Sequence, residues 1–331
     1  MTAWATRRPA GQAFTRRALL ATSLATPGFA QAPWPRRSIT LIVPTPPGGA
    51  TDLMGRVMAH SFSTALGVPV VVENRGGAAG IIATEQAAAA APDGHTIAIG
   101  MIGTLAVNPH LYPRLRYEPL RDFAPIGLIA QVPMVLLAQR ALAEGGLAGF
   151  IARVRAAPET VTYGSAGAGS NVHIGMVAFL DAAGLRMVHV PYRGSGPMVI
   201  DLVAGTIETG MTGTPAALPL VREGRVAALG TTGALRLVQT SDIPAISEAV
   251  PGFEAMQWYG LVAPARTPPE IVARLHEATN AALASEEVRH RLMEEGAIPD
   301  PRSAEGFRSF IGTELERWGA LVRRNNLRPG D

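Results

Sequence analysis

Apolar stretches typical of strands alternate with apolar positions at helical spacing along most of the chain. The run Ser38–Val43 predicts a strand, and apolar residues recurring from Leu53 to Leu66 predict the helix that follows. Further strands are predicted at 70–72 and 96–100, with a helix between them that runs through Glu85 to Ala91. This alternation is typical of α/β proteins with largely parallel sheets.

The same plan recurs in the second half, which indicates two similar lobes. Two long apolar stretches, 126–138 and 253–263, are expected to cross between the lobes. The first lobe is predicted to comprise 33–130 plus 255–331, and the second 131–254. Within the second lobe, the pattern predicts helices at 147–156, at 172–183 and up to Val203. It predicts strands near Val161, at 187–190 and at 206–211. The C-terminal segment is predicted to be helical, with helices starting at Pro268-Pro269 and at Ser285.

Two glycine-rich turns, each between a strand and a helix, carry the main chemical signal. The first is Pro44–Asp52 and the second is Tyr163–Ser170. A helix start presents unpaired N–H groups with partial positive charge, and glycine lets a ligand approach the backbone closely. Carboxylate, sulfate or phosphate would all suit such a site. One turn in each lobe favours a small-anion site between them, whereas ordinary helix–strand packing is the alternative for either turn alone.

The chain offers little for catalysis. It contains no cysteine and no lysine, which excludes thiol nucleophiles, iron–sulfur clusters, a phosphate-loop lysine and a Schiff base. Ser165, Ser170 and Ser195 all lack a G-x-S-x-G frame, and no H-E-x-x-H motif is present. We therefore expect no enzyme activity, no metal and no cofactor.

For several polar and aromatic residues near the turns, the sequence leaves two possible roles open. His173 and Asp52 each lie at a helix start, where a capping or packing role competes with a ligand contact. Arg193 is either a partner for a ligand carboxylate or a solvated loop residue. Trp258 and Tyr259, on the second crossing stretch, favour packing between the lobes over stacking on a ligand.

The N-terminal segment has the pattern of a secretory signal peptide over residues 1–30. Arginines precede an apolar run from Ala18 to Ala25, and small residues follow around 28–32. The motif around Arg16-Arg17 favours twin-arginine export over the general route. Cleavage after Ala30 or Ala32 fits, and Ala30 is favoured because Pro33 would follow the second cut.

Removal of this segment changes the charge of the chain. Its four arginines and lack of acids mean that cleavage lowers the formal net charge from +3 to about −1. Nothing then points to nucleic acid or a membrane surface as a partner. Without a cysteine for a lipid anchor, the exported protein is expected to be soluble in the periplasm.

The ordered motifs of the chain resemble those of the substrate-binding receptors of tripartite tricarboxylate transporters, the Bug family. The resemblance covers nearly all the mature sequence. Its motifs are P-x-x-P-G-G-x-x-D at 44–52, E-N-R-x-G-A-x-G at 73–80, P-D-G-x-T at 92–96, Y-G-S-x-G-x-G-S-x-x-H at 163–173 and V-P-Y-R-G-x-G-P at 190–197.

This resemblance implies a type II periplasmic binding protein fold, in which two α/β lobes joined by two crossing strands close on a ligand. It also implies that the two turns hold a carboxylate through backbone amides, hydroxyls and ordered waters. The residues carried over are Gly48, Gly49, Ala50, Thr51 and Asp52 on one side and Ser165, Ala166, Gly167, Ser170 and His173 on the other, with Thr104, Thr212, Gly213 and Thr214 expected near the distal part of the ligand.

The function implied is that of a receptor for a small carboxylate, such as a di- or tricarboxylate, an amino acid or an aromatic acid. A monomer would deliver the ligand to the permease subunits of a tripartite tricarboxylate transporter or report it to a sensor kinase. Two other classes stay open: an enzyme on a binding-protein scaffold, and a structural or signalling protein that keeps the fold without a ligand.

Overall fold

The computed structural model describes residues 1–4, 34–236, 240–294 and 296–329. Apart from its first four residues, the predicted signal peptide lies outside the described residues, so export and the cleavage site stay predictions. The described strands are β1 Ile39–Val43, β2 Val70–Asn74, β3 Thr96–Met101, β4 Phe123–Ala138, β5 Thr162–Ser165, β6 Val188–Pro191, β7 Thr209–Gly213, β8 Ala227–Thr231, β9 Met256–Pro264 and β10 Ile298–Pro299.

Helices alternate with these strands, as the sequence pattern predicts. The α-helices are α1 Ala50–Leu66, α2 Ile81–Ala88, α3 Asn108–Leu111, α4 Pro119–Asp122, α5 Gly146–Ala156, α6 Asn171–Ala183, α7 Ser195–Ala204, α8 Thr214–Arg222, α9 Pro269–Ala284, α10 Glu286–Glu294 and α11 Ala304–Arg324. A π-helical segment, Gly103–Val107, precedes α3.

The first lobe is built on the parallel strands β2, β1 and β3, with β1 in the middle. The apolar residues of β1 are buried on both faces: three of them pack with helices α1 and α9, and Ile42 packs on the opposite face with helix α2. The antiparallel strand β9 joins the edge of β3 and in turn pairs with the first part of β4. Parallel strands ending at one edge place the loop after β1 where a ligand can reach it.

The sixteen-residue strand β4 passes from one lobe to the other. Its residues up to Pro133 pair with β9, and its residues from Met134 onward pair with β7 and β8. Proline has no N–H to donate, which suits the point where the strand exchanges partners. In the second lobe β5 lies between β6 and β7, parallel to both. The α/β fold with two crossing segments is confirmed, while the stated lobe boundaries stay predictions.

The C-terminal segment differs from the sequence prediction, because the short strand β10 interrupts the helices and pairs with β4. Beyond β10, helix α11 packs on β4 and on the π-helical segment. The buried carboxylate of Glu314 in this helix accepts hydrogen bonds from the indole N–H groups of Trp258 (2.8 Å) and Trp318 (2.6 Å). Helix α11 is therefore fixed to the crossing strand β9.

Candidate functional site

The first glycine turn leads directly into helix α1 and faces open space. Gly48 has φ +93°, a conformation that favours glycine, and Gly49 is the extended N-cap residue with φ −96°. No side chain caps the first N–H groups of α1. A Cβ added at Gly48 or Gly49 would meet no atom within 4 Å. The turn therefore offers uncapped helix N–H groups beside free space, as an anion site requires.

Asp52 holds this turn from within. Its carboxylate accepts hydrogen bonds from the Gly48 amide (2.9 Å), the Arg56 guanidinium (3.0 Å) and the Asn74 amide (2.9 Å). Burial raises the pKa of Asp52, but these hydrogen bonds outweigh it, so the net pKa is lower than usual. This geometry favours the helix-start role of Asp52, and a direct contact with ligand stays a prediction.

A further glycine-rich segment, residues 76–80, supports the first turn by close packing. A Cβ at Gly76 would lie 2.7 Å from the ring of Pro46, and one at Gly80 would lie 2.8 Å from the methyl group of Thr104. Both glycines are therefore explained by the approach of neighbouring chain segments, without any ligand.

The second glycine turn connects β5 to α6 and is fixed by short-range hydrogen bonds. Gly167 and Gly169 have φ +112° and +74°. The Ser165 hydroxyl accepts from the Gly167 amide (3.1 Å), and the Ser170 hydroxyl caps α6 by accepting from the His173 amide (3.3 Å). These hydrogen bonds hold the loop against the start of α6.

Tyr259, on the crossing strand β9, joins the starts of the two helices. Its buried hydroxyl donates to the side-chain oxygen of Gln257 (2.7 Å). Burial raises the pKa of Tyr259 to about 12, while the side chains of Thr51 and Asn171 interact with the same hydroxyl and lower it. Thr51 lies in the first turn of α1 and Asn171 in the first turn of α6. Tyr259 therefore lies near the first turns of both α1 and α6.

Comparison with known proteins identifies the kind of molecule to which this site belongs. The model of the tripartite tricarboxylate transporter family receptor matches residues 54–327. The chain belongs to this family. The receptor is 35% identical to Protein BugT of Bordetella pertussis over 297 residues, which are 89% of this chain and 91% of that protein. The resemblance inferred from the motifs is confirmed.

Solved structures of similar proteins support the same fold. The structure described as R. palustris Rpa4515 with adipate has a TM-score of 0.83 and 35% identity, and the match covers 90% of the receptor and 100% of that chain. MatC (Rpa3494) from Rhodopseudomonas palustris with bound malate has a TM-score of 0.79 and 34% identity, covering 87% and 99%. The type II periplasmic binding protein fold is confirmed by these matches.

His173 has a local structural role in the receptor. Its ring is buried, and Nδ1 accepts a hydrogen bond from the Gly169 amide (3.0 Å). It also stacks on His189, with ring centroids 4.2 Å apart. Burial, and then the charge of His189, lower the pKa of His173 to about 3. A neutral His173 therefore stabilises the second turn, as the capping interpretation predicts, and its contact with ligand stays a prediction.

The four residues expected near the distal part of the ligand make hydrogen bonds or strand pairs within the protein. The buried Thr104 hydroxyl bonds to the backbone of Met101, donating to its carbonyl (3.2 Å) and accepting from its amide (3.3 Å). Thr212 and Gly213 pair with β4, and the Thr214 hydroxyl donates to the Pro133 carbonyl (3.1 Å). These contacts place the 212–214 segment beside the crossing strand, and its role toward ligand stays a prediction.

Asn171 is the residue near Tyr259 that the sequence reasoning did not select. It directly follows the N-cap Ser170, and its position within the second glycine motif could have identified it as a candidate.

In the described part of the chain, no group of three or more histidine, aspartate or glutamate side chains could hold a metal ion. The helices that the structure describes include none that is both long and apolar enough to cross a bilayer.

Proposed function

We propose that this receptor binds a small carboxylate between the two glycine turns, in the periplasm, and delivers it to a tripartite tricarboxylate-type transporter. The observation that carries the proposal is the free space beside Gly48 and Gly49, bordered by uncapped N–H groups at the start of α1. Related proteins of the same fold are described with adipate and with malate, which are both carboxylates.

The energy available from such a site fits a transport receptor. A hydrogen bond to a charged group contributes roughly 1.5–3 kcal/mol. Three or four amide donors from the two helix starts would supply about 5–10 kcal/mol before the costs of closure. Micromolar affinity corresponds to about 8 kcal/mol. A site of backbone donors can therefore bind a carboxylate and still release it.

A thermal-shift panel tests carboxylate binding directly. The purified mature receptor is heated with mono-, di- and tricarboxylates, amino acids and aromatic acids. A ligand at about 100 times its dissociation constant adds about 2.7 kcal/mol to the free energy of unfolding. For a protein of this size we expect a rise in melting temperature of about 4 °C. If every carboxylate leaves the melting temperature unchanged, the proposal fails.

Delivery to permease subunits is supported by the family to which the chain belongs. The alternative left open by the sequence is that the receptor reports the ligand to a sensor kinase. Deletion of the gene separates the two. Loss of uptake of the identified ligand supports transport, whereas unchanged uptake with loss of a transcriptional response to that ligand supports sensing.

An enzyme is disfavoured by the surroundings of the best nucleophile candidate. The Ser165 hydroxyl lies 2.6 Å from His189 Nε2, as in a serine–histidine pair, but Ser165 is fully buried and holds the Gly167 amide. A bound substrate could not reach it without rearrangement of the turn. We expect an identified ligand to stay intact over hours of incubation, as followed by NMR; turnover would support the enzyme alternative.

A further inference from the structure

Two N–H groups of the second glycine turn are bound by side chains of the protein itself. The Gly167 amide donates to the Ser165 hydroxyl (3.1 Å), and the Gly169 amide donates to Nδ1 of His173 (3.0 Å). Both acceptors are buried, with Ser165 exposed by 0% and His173 by 2%. Because Gly167 and Gly169 have positive φ values, these two hydrogen bonds act on the residues that give the turn its shape.

His189 contacts both of these acceptors from the neighbouring strand β6, where it lies opposite Tyr163 of β5. Its Nε2 atom is 2.6 Å from the Ser165 hydroxyl, and its ring stacks on His173 with centroids 4.2 Å apart. The Tyr163 ring packs nearly parallel to that of His189, with centroids 4.9 Å apart. A single side chain therefore connects the two acceptors that hold the turn.

The hydrogen-bonding capacity of Ser165 sets the direction of its bond to His189. Ser165 Oγ accepts from Gly167, so its own buried proton needs an acceptor. In the part of the chain that the structure describes, the side chain of Ser165 has only one other hydrogen-bond partner, Nε2 of His189. The serine proton is therefore donated to Nε2, which requires a neutral His189 with its own proton on Nδ1.

A binding turn that is fixed before the ligand arrives gains affinity, because less order has to be imposed on binding. Without the acceptor on His189, the Ser165 hydroxyl would have to turn toward another acceptor or leave a buried proton unpaired. Either change weakens its hold on the Gly167 amide. The conformation of the second turn thus depends on a residue that lies outside the turn.

We propose that His189 is a positioning residue of the carboxylate site, and that it holds the second turn in its binding conformation by accepting the proton of Ser165 and stacking on His173. His189 acts through these two side chains and not by touching the ligand. This inference rests on the proposed function, in which the second turn binds a carboxylate.

Titration calorimetry with an acid from the thermal-shift panel tests this role in the full mature receptor. His189→Phe keeps a ring for stacking but removes Nε2, and we expect it to bind about ten times more weakly or worse. His189→Gln offers an amide oxygen near the place of Nε2 and should bind within about threefold of the wild type. His290→Phe is the matched control, because His290 is exposed in α10 and contacts Glu294 (3.4 Å); it should keep the wild-type affinity.

A double-mutant cycle with Ser165→Ala separates positioning from a general loss of stability. This variant removes the same link from its other end, so it should also weaken binding. If His189 acts through Ser165, the double variant Ser165→Ala with His189→Phe should bind about as weakly as each single variant. Independent effects would instead multiply the two losses of affinity.

Hydrogen exchange of the ligand-free receptor, followed by mass spectrometry, reports on the turn itself. We expect peptides covering residues 163–172 to exchange faster in His189→Phe and in Ser165→Ala than in the wild type, and at the wild-type rate in His189→Gln. Peptides from helix α9 should exchange at the same rate in all of these proteins, which shows that the fold is kept.

Unchanged affinity in His189→Phe would overturn the inference and leave the carboxylate site standing. Weaker binding without faster exchange of the turn would also overturn it, since His189 would then act on the ligand directly. Losses that multiply in the cycle, or equal losses in His189→Phe and His189→Gln, contradict it as well. If His189→Phe does not fold, unchanged affinity and exchange in Ser165→Ala give the contrary result. If no carboxylate binds to the wild type, the proposed function fails first and this inference fails with it.

Discussion

Replacement of Gly49 by valine separates ligand binding from folding more cleanly than any other change in the first turn. Gly49 has φ −96°, which any residue adopts, and an added Cβ meets no protein atom within 4 Å. The side chain would enter the space where a carboxylate oxygen approaches the N–H groups of α1. Gly48, with φ +93°, would instead be strained by any side chain and is unsuitable for the test.

The Gly49→Val substitution is expected to change the free energy of unfolding only slightly and the ligand affinity strongly. Valine is a poorer N-cap than glycine, so we expect a loss of at most about 1 kcal/mol in the free energy of unfolding. Loss of two charge-assisted hydrogen bonds costs roughly 3–6 kcal/mol of binding energy. That corresponds to about a hundredfold to ten-thousandfold weaker affinity. Gly49→Ala, with one methyl group in the same space, should give a smaller loss of affinity.

Calorimetric titration with a ligand from the thermal-shift panel, alongside urea unfolding, measures both quantities. Gly312→Ala is the control, because Gly312 lies in α11, where a Cβ meets only Leu120 at 3.9 Å. We expect the control to bind as the wild type does. If Gly49→Val is folded and binds with unchanged affinity, the carboxylate does not lie at the first turn.

Three further predictions concern residues that hold the site in place. Asp52→Ala should lower the free energy of unfolding by about 2 kcal/mol in urea, because the Gly48 amide and two side chains lose their common acceptor; a loss under about 0.5 kcal/mol would contradict the network. Glu314→Leu should cost about 2–5 kcal/mol, since two buried indole N–H groups lose their acceptor, and an unchanged urea midpoint would refute this. The pKa of His173 lies near 3 when folded and 6.5 when unfolded, so the unfolded chain takes up the proton first as the pH falls. Stability should therefore decline by up to about 1.4 kcal/mol per pH unit between pH 6.5 and 3, and the decline should be shallower in His173→Gln; equal slopes for both proteins would be the contrary outcome.

Local pattern was sufficient for the element that forms the first turn. An apolar strand, a proline–glycine turn and an amphipathic helix follow one another in the chain, so their order alone places Gly49 at a helix start. The long apolar stretch around Pro133 likewise predicted a crossing strand, because few other roles accommodate so many consecutive apolar residues.

The ends of helices and strands that depend on tertiary structure were harder to predict from the sequence. The strand predicted at 206–211 begins only at Thr209, because Gly205 ends α7 with φ +82° and the Thr206 amide bonds back to Asp201. The helix predicted to reach Ala91 ends at Ala88, since an alanine run carries no stop signal of its own.

The interaction of Tyr259 with both helix starts could not be anticipated from sequence. The three residues concerned, Thr51, Asn171 and Tyr259, are far apart in the chain and share no motif. Only the pairing of β9 with β3 and β4 brings Tyr259 near the first turns of α1 and α6. The place of Asn171 near Tyr259 therefore required the fold.

A crystal structure of the receptor with the tightest-binding acid from the panel tests the central claim most directly. We expect the carboxylate oxygens to lie about 2.7–3.2 Å from backbone nitrogens at the start of α1 on one side and of α6 on the other. A carboxylate bound away from both turns, for example on the exposed side chain of Arg193, would contradict the claim that two helix starts hold the ligand.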